Sequence, residues 1–169
     1  MKIQKMDLVV PILAGLACLF FFMPNPVTVW AVFIGWAWYF NLGASPQVFA
    51  KVIPPMILGY FLAGIAVVAV YLGGEAWVTV LAIVVALTVF VIMLSLKIPA
   101  FAASLVSFNS YAIMFGGYFG QAGFGFPFIA PSAGLSIGNI AIIALWMMMS
   151  NLIGVGFGFL SIALSKSGK

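Results

Sequence analysis

The chain is 169 residues long, 66% hydrophobic and only 5% charged, with a mean hydropathy of +1.33. A soluble domain covers itself with about a quarter charged residues. This composition therefore excludes a water-soluble domain and leaves a single polytopic membrane domain over residues 1–169. The net charge of +4 comes from six lysines (Lys2, Lys5, Lys51, Lys97, Lys166 and Lys169) against Asp7 and Glu75. Scattered singly, these lysines form no nucleic-acid patch and read as residues that fix orientation in a lipid bilayer.

A crossing helix needs about 20 apolar residues, and six segments qualify, near 8–23, 27–43, 54–72, 76–96, 99–118 and 138–164. The first, "MKIQKMDLVVPILAGLACLFFFMP", begins like a secretory signal, but no small-residue cleavage site follows its apolar run. Gly15-Leu16-Ala17-Cys18 resembles a lipoprotein box only distantly, because Gly15 stands where a leucine is wanted. The segment is expected to stay as a membrane helix, and its lone thiol says nothing about redox compartment. "MPNP" at 23–26 makes the first turn, while Pro54, Pro55 and Pro99 suit the opening turns of the third and fifth helices. "YLGGE" at 71–75 closes the third helix with glycines.

Six crossings with a cytoplasmic N-terminus put every lysine on the cytoplasmic side, in the second loop, the fourth loop and the C-terminal tail. Glu75 then falls outside. Five or seven crossings break this agreement, so the expectation is six spans in a bacterial inner membrane with both termini cytoplasmic. Trp30 and Trp77 would mark the outer interface, with Trp38 and Tyr39 toward the inner one.

The stretch from Ser104 to Ser136 is uncharged and glycine-rich, with two prolines, an Asn and several hydroxyls. Its loop part, 119–137, is long for a compact domain and too apolar to lie in water. Non-helical backbone at membrane depth must be buried in protein or line a cavity. A re-entrant or lid-like segment between the last two helices is the preferred expectation, beside a loop lying flat on the interface.

Acid–base and nucleophilic catalysis need titratable groups. There is no His, and the two carboxylates lie at opposite membrane faces, so no catalytic residue is expected. With no His and one Cys, no metal site or cofactor is expected either. Met147-Met148-Met149 point in different directions on a helix and read as packing filler. An ion-coupled transporter would carry an ionisable residue inside a span, and none is visible. A neutral pathway remains. The fifth helix supplies Ser104, Ser107, Asn109, Ser110 and Tyr111, and the sixth supplies Ser150 and Asn151. Ser104, Ser107 and Tyr111 share a face by their spacing, with Asn109 and Ser110 directed elsewhere. Such groups can replace the water around a small uncharged solute, or simply tie helices together. The pathway candidates are Asn109, Ser107, Tyr111, Ser104, Ser110 and Asn151.

Gly154 and Gly158 have the spacing that permits close helix contact. Segments 25–40 and 109–119 share Asn, Phe-x-Gly and Tyr-Phe in the same order at different spacings, as a remnant of an inverted repeat would.

"WAVFIGWAWYF", "GYFLAGIAVVAVY" and "FNSYAIMFGGYFG" resemble a family of small bacterial inner-membrane proteins known only as a domain of unknown function (number one thousand and ninety-seven). Ala100 stands here where a glycine often follows that family's proline. The family implies no activity to carry over. "NPVTVWAVFIGW", "SFNSYAIMFG" and "GFPFIAPSA" are locally similar to urea-transporter motifs, with Val29 and Trp30 replacing the glycine expected after Thr28. The sequence expectation is therefore an all-α protein of six transmembrane helices, assembled as a homo-oligomer. It would act as a passive channel or facilitator for urea or a short amide. The alternative is a non-transporting structural or accessory subunit of a membrane complex.

Overall fold

The computed structural model describes residues 3–21, 27–119 and 137–166. Every regular element among them is helical: α1 (Lys5–Phe21), α2 (Val29–Asn41), α3 (Val48–Leu72), α4 (Trp77–Ser95), α5 (Ser104–Phe119) and α6 (Ile137–Lys166). Single 3-10 turns at Gly74–Ala76 and Pro99–Phe101 precede α4 and α5. The expected turn at 23–26 and the expected re-entrant stretch within 120–136 lie outside the described residues.

Among the described residues, three helices are long and apolar enough to cross a membrane: Val48–Leu72, Trp77–Ser95 and Gly138–Lys166. At 1.5 Å per residue, α3 is about 37 Å long, whereas α2 with its 13 residues reaches only about 20 Å. The 16 described residues of α5 give about 24 Å. Six apolar segments are thus six helices, of which three have full spanning length among the described residues.

Two proline placements differ from expectation. The third helix begins at Val48, so Pro54 and Pro55 lie inside it rather than in its first turn. Their missing N–H groups leave the Ala50 and Lys51 carbonyls without the usual helical donors. Pro99 opens the short 3-10 turn and not α5 itself, which starts at Ser104. Gly73 does cap α3, donating its N–H to the Ala69 and Val70 carbonyls.

The packing is led by two pairs, α2 on α6 and α3 on α5. Within each pair the helices run parallel. Thr28 meets Met147 and Ser150, whereas Tyr39 further down α2 meets Gly158. Pro54 and Ala103 line the same cleft, and Gly59 lies beside Ser107 and Tyr111. Parallel partners separated by an even number of reversals are what an up-and-down chain produces. Lys51 shares a cleft with Pro99, two residues beyond Lys97, and Phe49 touches Phe159 near the Lys166 end of α6. Lys51, Lys97 and Lys166 thus gather at one end of the bundle, called here the lysine end.

The core lies around α3, with Val52, Met56, Tyr60, Ala63 and Val67 buried at helical spacing. Trp38 and Tyr39 belong to this core, at 0% and 1% exposure, and not to an interfacial belt. Trp77 is exposed, as a membrane-interface residue would be. The glycine spacing on α6 has a direct use: a Cβ on Gly154 would clash with the Val32 carbonyl, and one on Gly158 would sit 2.5 Å from the Tyr39 Cβ. These two glycines let α6 approach the backbone of α2.

Candidate functional site

An open cleft of about 450 Å³ enters at the lysine end, lined by Leu42, Lys51, Pro54, Pro99 and Ala103 among others. One helical turn beyond Ala103 on α5 comes Ser107, and one turn beyond Pro55 on α3 comes Gly59. At this level the helices nearly touch: a Cβ on Gly59 would clash with the Ser107 carbonyl and lie 2.8 Å from the Ser110 Cβ. Glycine at 59 is what brings the α5 backbone this close.

The hydroxyls of Ser107 and Ser110 both sit on this seam, fully buried, and neither has a hydrogen-bond partner. A serine in a helix can usually bond the carbonyl one turn back, as Ser150 does to Trp146 at 2.7 Å and Ser161 to Gly158 at 2.7 Å. Two orphaned hydroxyls on adjacent turns are costly, about 1–3 kcal/mol each. Just beyond them Tyr111 bonds Thr88 of α4, with 2.7 Å between the hydroxyl oxygens.

Next to Gly59 on α3, the Tyr60 hydroxyl donates to Asn151 Oδ1 of α6 at 2.5 Å. The Asn151 Nδ2 donates in turn to the Ala31 carbonyl of α2 at 2.8 Å. Tyr60 and Asn151 are each central in their helices, α3 and α6. Three helices are therefore tied by one carboxamide halfway along the bundle.

Of the six pathway candidates, the structure brings three together: Ser107, Ser110 and Tyr111 share the buried face of α5. Asn151 is buried elsewhere, bonded to Tyr60 of α3 and the Ala31 carbonyl of α2. The other two fall away: Asn109 is half-buried off that face, and Ser104 is exposed at the first residue of α5. The face thus runs Ser107, Ser110, Tyr111, Met114, with Ser110 in place of Ser104. The approach of α3 at Gly59 selects that stripe, and spacing along α5 alone could not. Tyr60, Thr88 and Gly59 are the members that sequence reasoning missed. A tyrosine at mid-span and a threonine within the strongly apolar α4 were the available signals. Among the described residues, no group of three His, Cys, Asp or Glu side chains could hold a metal ion.

An apolar, all-helical bundle with internal hydroxyls and amides and no charge in its core has the character of a membrane protein. The chain belongs to the family described as protein of unknown function (DUF1097), whose model matches residues 7–166. No curated protein and no solved structure matches it, so the local similarity to urea transporters has no support from these comparisons.

Proposed function

We propose that the protein is a passive facilitator for a small uncharged polar solute, with urea and short amides the first candidates. The observation that carries this reading is the pair of buried, unpartnered hydroxyls, Ser107 and Ser110, set one turn beyond an open cleft. Hydroxyls without internal partners are free to bond a passing solute. The uncharged core offers no coupling group for protons and no fixed cation for anions. α2 and α5 occupy corresponding second places in the two halves of the chain, where transporters built from repeats place their sites.

In this reading all six helices lie within the bacterial inner membrane, the lysine end faces the cytoplasm, both termini lie there and the protein is a homo-oligomer. A second reading, a non-transporting scaffold or accessory subunit, is favoured by α4. That helix leaves Ile83, Leu87, Phe90 and Met93 exposed along its length, a broad apolar flank for a protein neighbour.

Stopped-flow light scattering on proteoliposomes separates the two. The facilitator passes urea or acetamide well above the rate of empty liposomes and discriminates against glycerol. Rates equal to those of empty liposomes for every solute would leave the scaffold reading standing.

A further inference from the structure

The cleft at the lysine end has walls of two kinds. One is the start of α3, where Ala50, Lys51 and Pro54 share a face at three- and four-residue spacing. The other is the connection from α4 to α5, where Pro99, Ala100, Ala102 and Ala103 present only small side chains. Leu42, at the C-terminus of α2, adds a third side. Between them about 450 Å³ is left unfilled.

The α3 wall carries polar groups that the fold does not use. Lys51 is exposed, and no acid lines the cleft to pair with it. Glu75 lies beyond the far end of α3, and the Asp7 carboxylate accepts the Gln4 N–H at the start of α1. Pro54 and Pro55 lack the N–H groups that would bond the Ala50 and Lys51 carbonyls. Ala50 and Lys51 are both lining residues. One cation and two carbonyls without their helical donors thus meet at the rim of an otherwise apolar space.

Each feature selects one part of a ligand. Lys51, with Lys97 and Lys166 at the same end, attracts an anion such as a phosphate. The carbonyls ask for a hydrogen-bond donor, and three lysines nearby favour a neutral hydroxyl over an ammonium. The apolar walls take hydrocarbon. In membrane proteins, basic pockets between helices hold anionic lipid headgroups. We propose that this cleft binds an anionic phospholipid with a hydroxyl-bearing headgroup, of which phosphatidylglycerol is the simplest. Its phosphate sits at Lys51, and its headgroup hydroxyls donate to the Ala50 and Lys51 carbonyls. The start of its acyl chains lies along Pro99 and Ala100, both exposed. The proposal does not rest on the facilitator reading, and its test measures no flux. In that reading, a seated headgroup shares the solute's entrance and lowers permeability.

Thermal unfolding of the purified protein in detergent, titrated with defined lipids, tests the site. A ligand that binds only the folded state raises the melting temperature with its concentration. Phosphatidylglycerol is expected to stabilise the wild type, whereas phosphatidylcholine and phosphatidylethanolamine are not. Lys51→Gln is expected to raise the half-saturating phosphatidylglycerol concentration about fivefold, the effect of losing one lysine beside an anionic headgroup. Ala100→Leu keeps the charge but fills the space, and is expected to weaken the same lipid. Lys166→Gln removes a lysine from the same end but not from the cleft, and is expected to bind as the wild type does.

Equal stabilisation by all three lipids overturns headgroup recognition. Equal weakening by Lys51→Gln and Lys166→Gln, with Ala100→Leu unaffected, shows diffuse attraction to the whole end and overturns the cleft as the site. A matching rise from glycerol 3-phosphate at the same concentration overturns the lipid in favour of a soluble phosphate.

Discussion

Tyr60 and Asn151 illustrate how one bond can bind three helices in an apolar bundle. The Asn151 carboxamide uses its oxygen on the Tyr60 hydroxyl and its nitrogen on the Ala31 carbonyl, with no exposed surface. Removing one partner leaves the other buried and unpaired, which costs more than the net worth of the bond. Tyr60→Phe, which keeps the ring and its packing, is expected to destabilise the fold by about 1–3 kcal/mol. Thermal unfolding in detergent reads this, and a melting temperature equal to wild type would show that the bond is not made. Asn151 was legible in the sequence as a polar residue in an apolar run. Its partner was not, because Tyr60 lies 91 positions away and pairs only once α3 and α6 cross. Spacing along α5 sets Ser110 apart from Ser107 and Tyr111, because it relates residues of one helix to each other without saying which stripe a neighbour covers. The approach of α3 at Gly59 supplies that information, and it is a property of two helices together.

At the scale of elements, glycine decides which helices meet. Gly154 faces the α2 backbone with no room for a Cβ, whereas Gly156, two residues on, meets nothing within 4 Å. Gly154→Ala must push α6 away from α2 and is expected to lower the melting temperature by several degrees or prevent folding. Gly156→Ala fills open space and favours the helix by about 1 kcal/mol, so it should be neutral or stabilising. Equal effects of the two substitutions would contradict the α2–α6 contact. The glycine pair at 154 and 158 was legible as a close-contact motif, but its partner was not. The helix count and most helix ends were also legible, since apolar runs and turn residues mark them. The proline placements differ at α3 and α5: Pro54 and Pro55 read as a helix opening in sequence but interrupt a helix that begins at Val48, and Pro99 opens the 3-10 turn ahead of α5. The repeat hint matched Phe-x-Gly and Tyr-Phe between 25–40 and 109–119, a register the packing does not use. Backbone contacts at Gly59 and Gly154 pair Val32 with Ser107 and Trp36 with Tyr111. That symmetry resides in backbone approach, and the side chains at the paired positions differ.

For the whole molecule, composition was the surest guide. A chain this apolar with so few charges folds as a helical bundle that presents apolar surface outward, as α4 does with Ile83, Leu87 and Phe90. The lysine pattern anticipated that Lys51, Lys97 and Lys166 would share one end, and the parallel pairing of α2 with α6 and α3 with α5 brings them there. The cleft, the glycine crossing and the orphaned hydroxyls then line up along one seam running inward from that end. None of this alignment could be read from the sequence, because it depends on contacts between segments some 50 residues apart.

The most direct test of a solute path along this seam is a paired measurement on Ser107→Ala/Ser110→Ala: thermal stability in detergent, and urea and acetamide permeability in proteoliposomes. The substitutions delete two buried hydroxyls that have no internal partner, so the fold should become more stable. If the hydroxyls serve a passing solute, permeability should fall at least tenfold in the same protein. A variant that is more stable yet as permeable as wild type would contradict the account and place any solute path elsewhere.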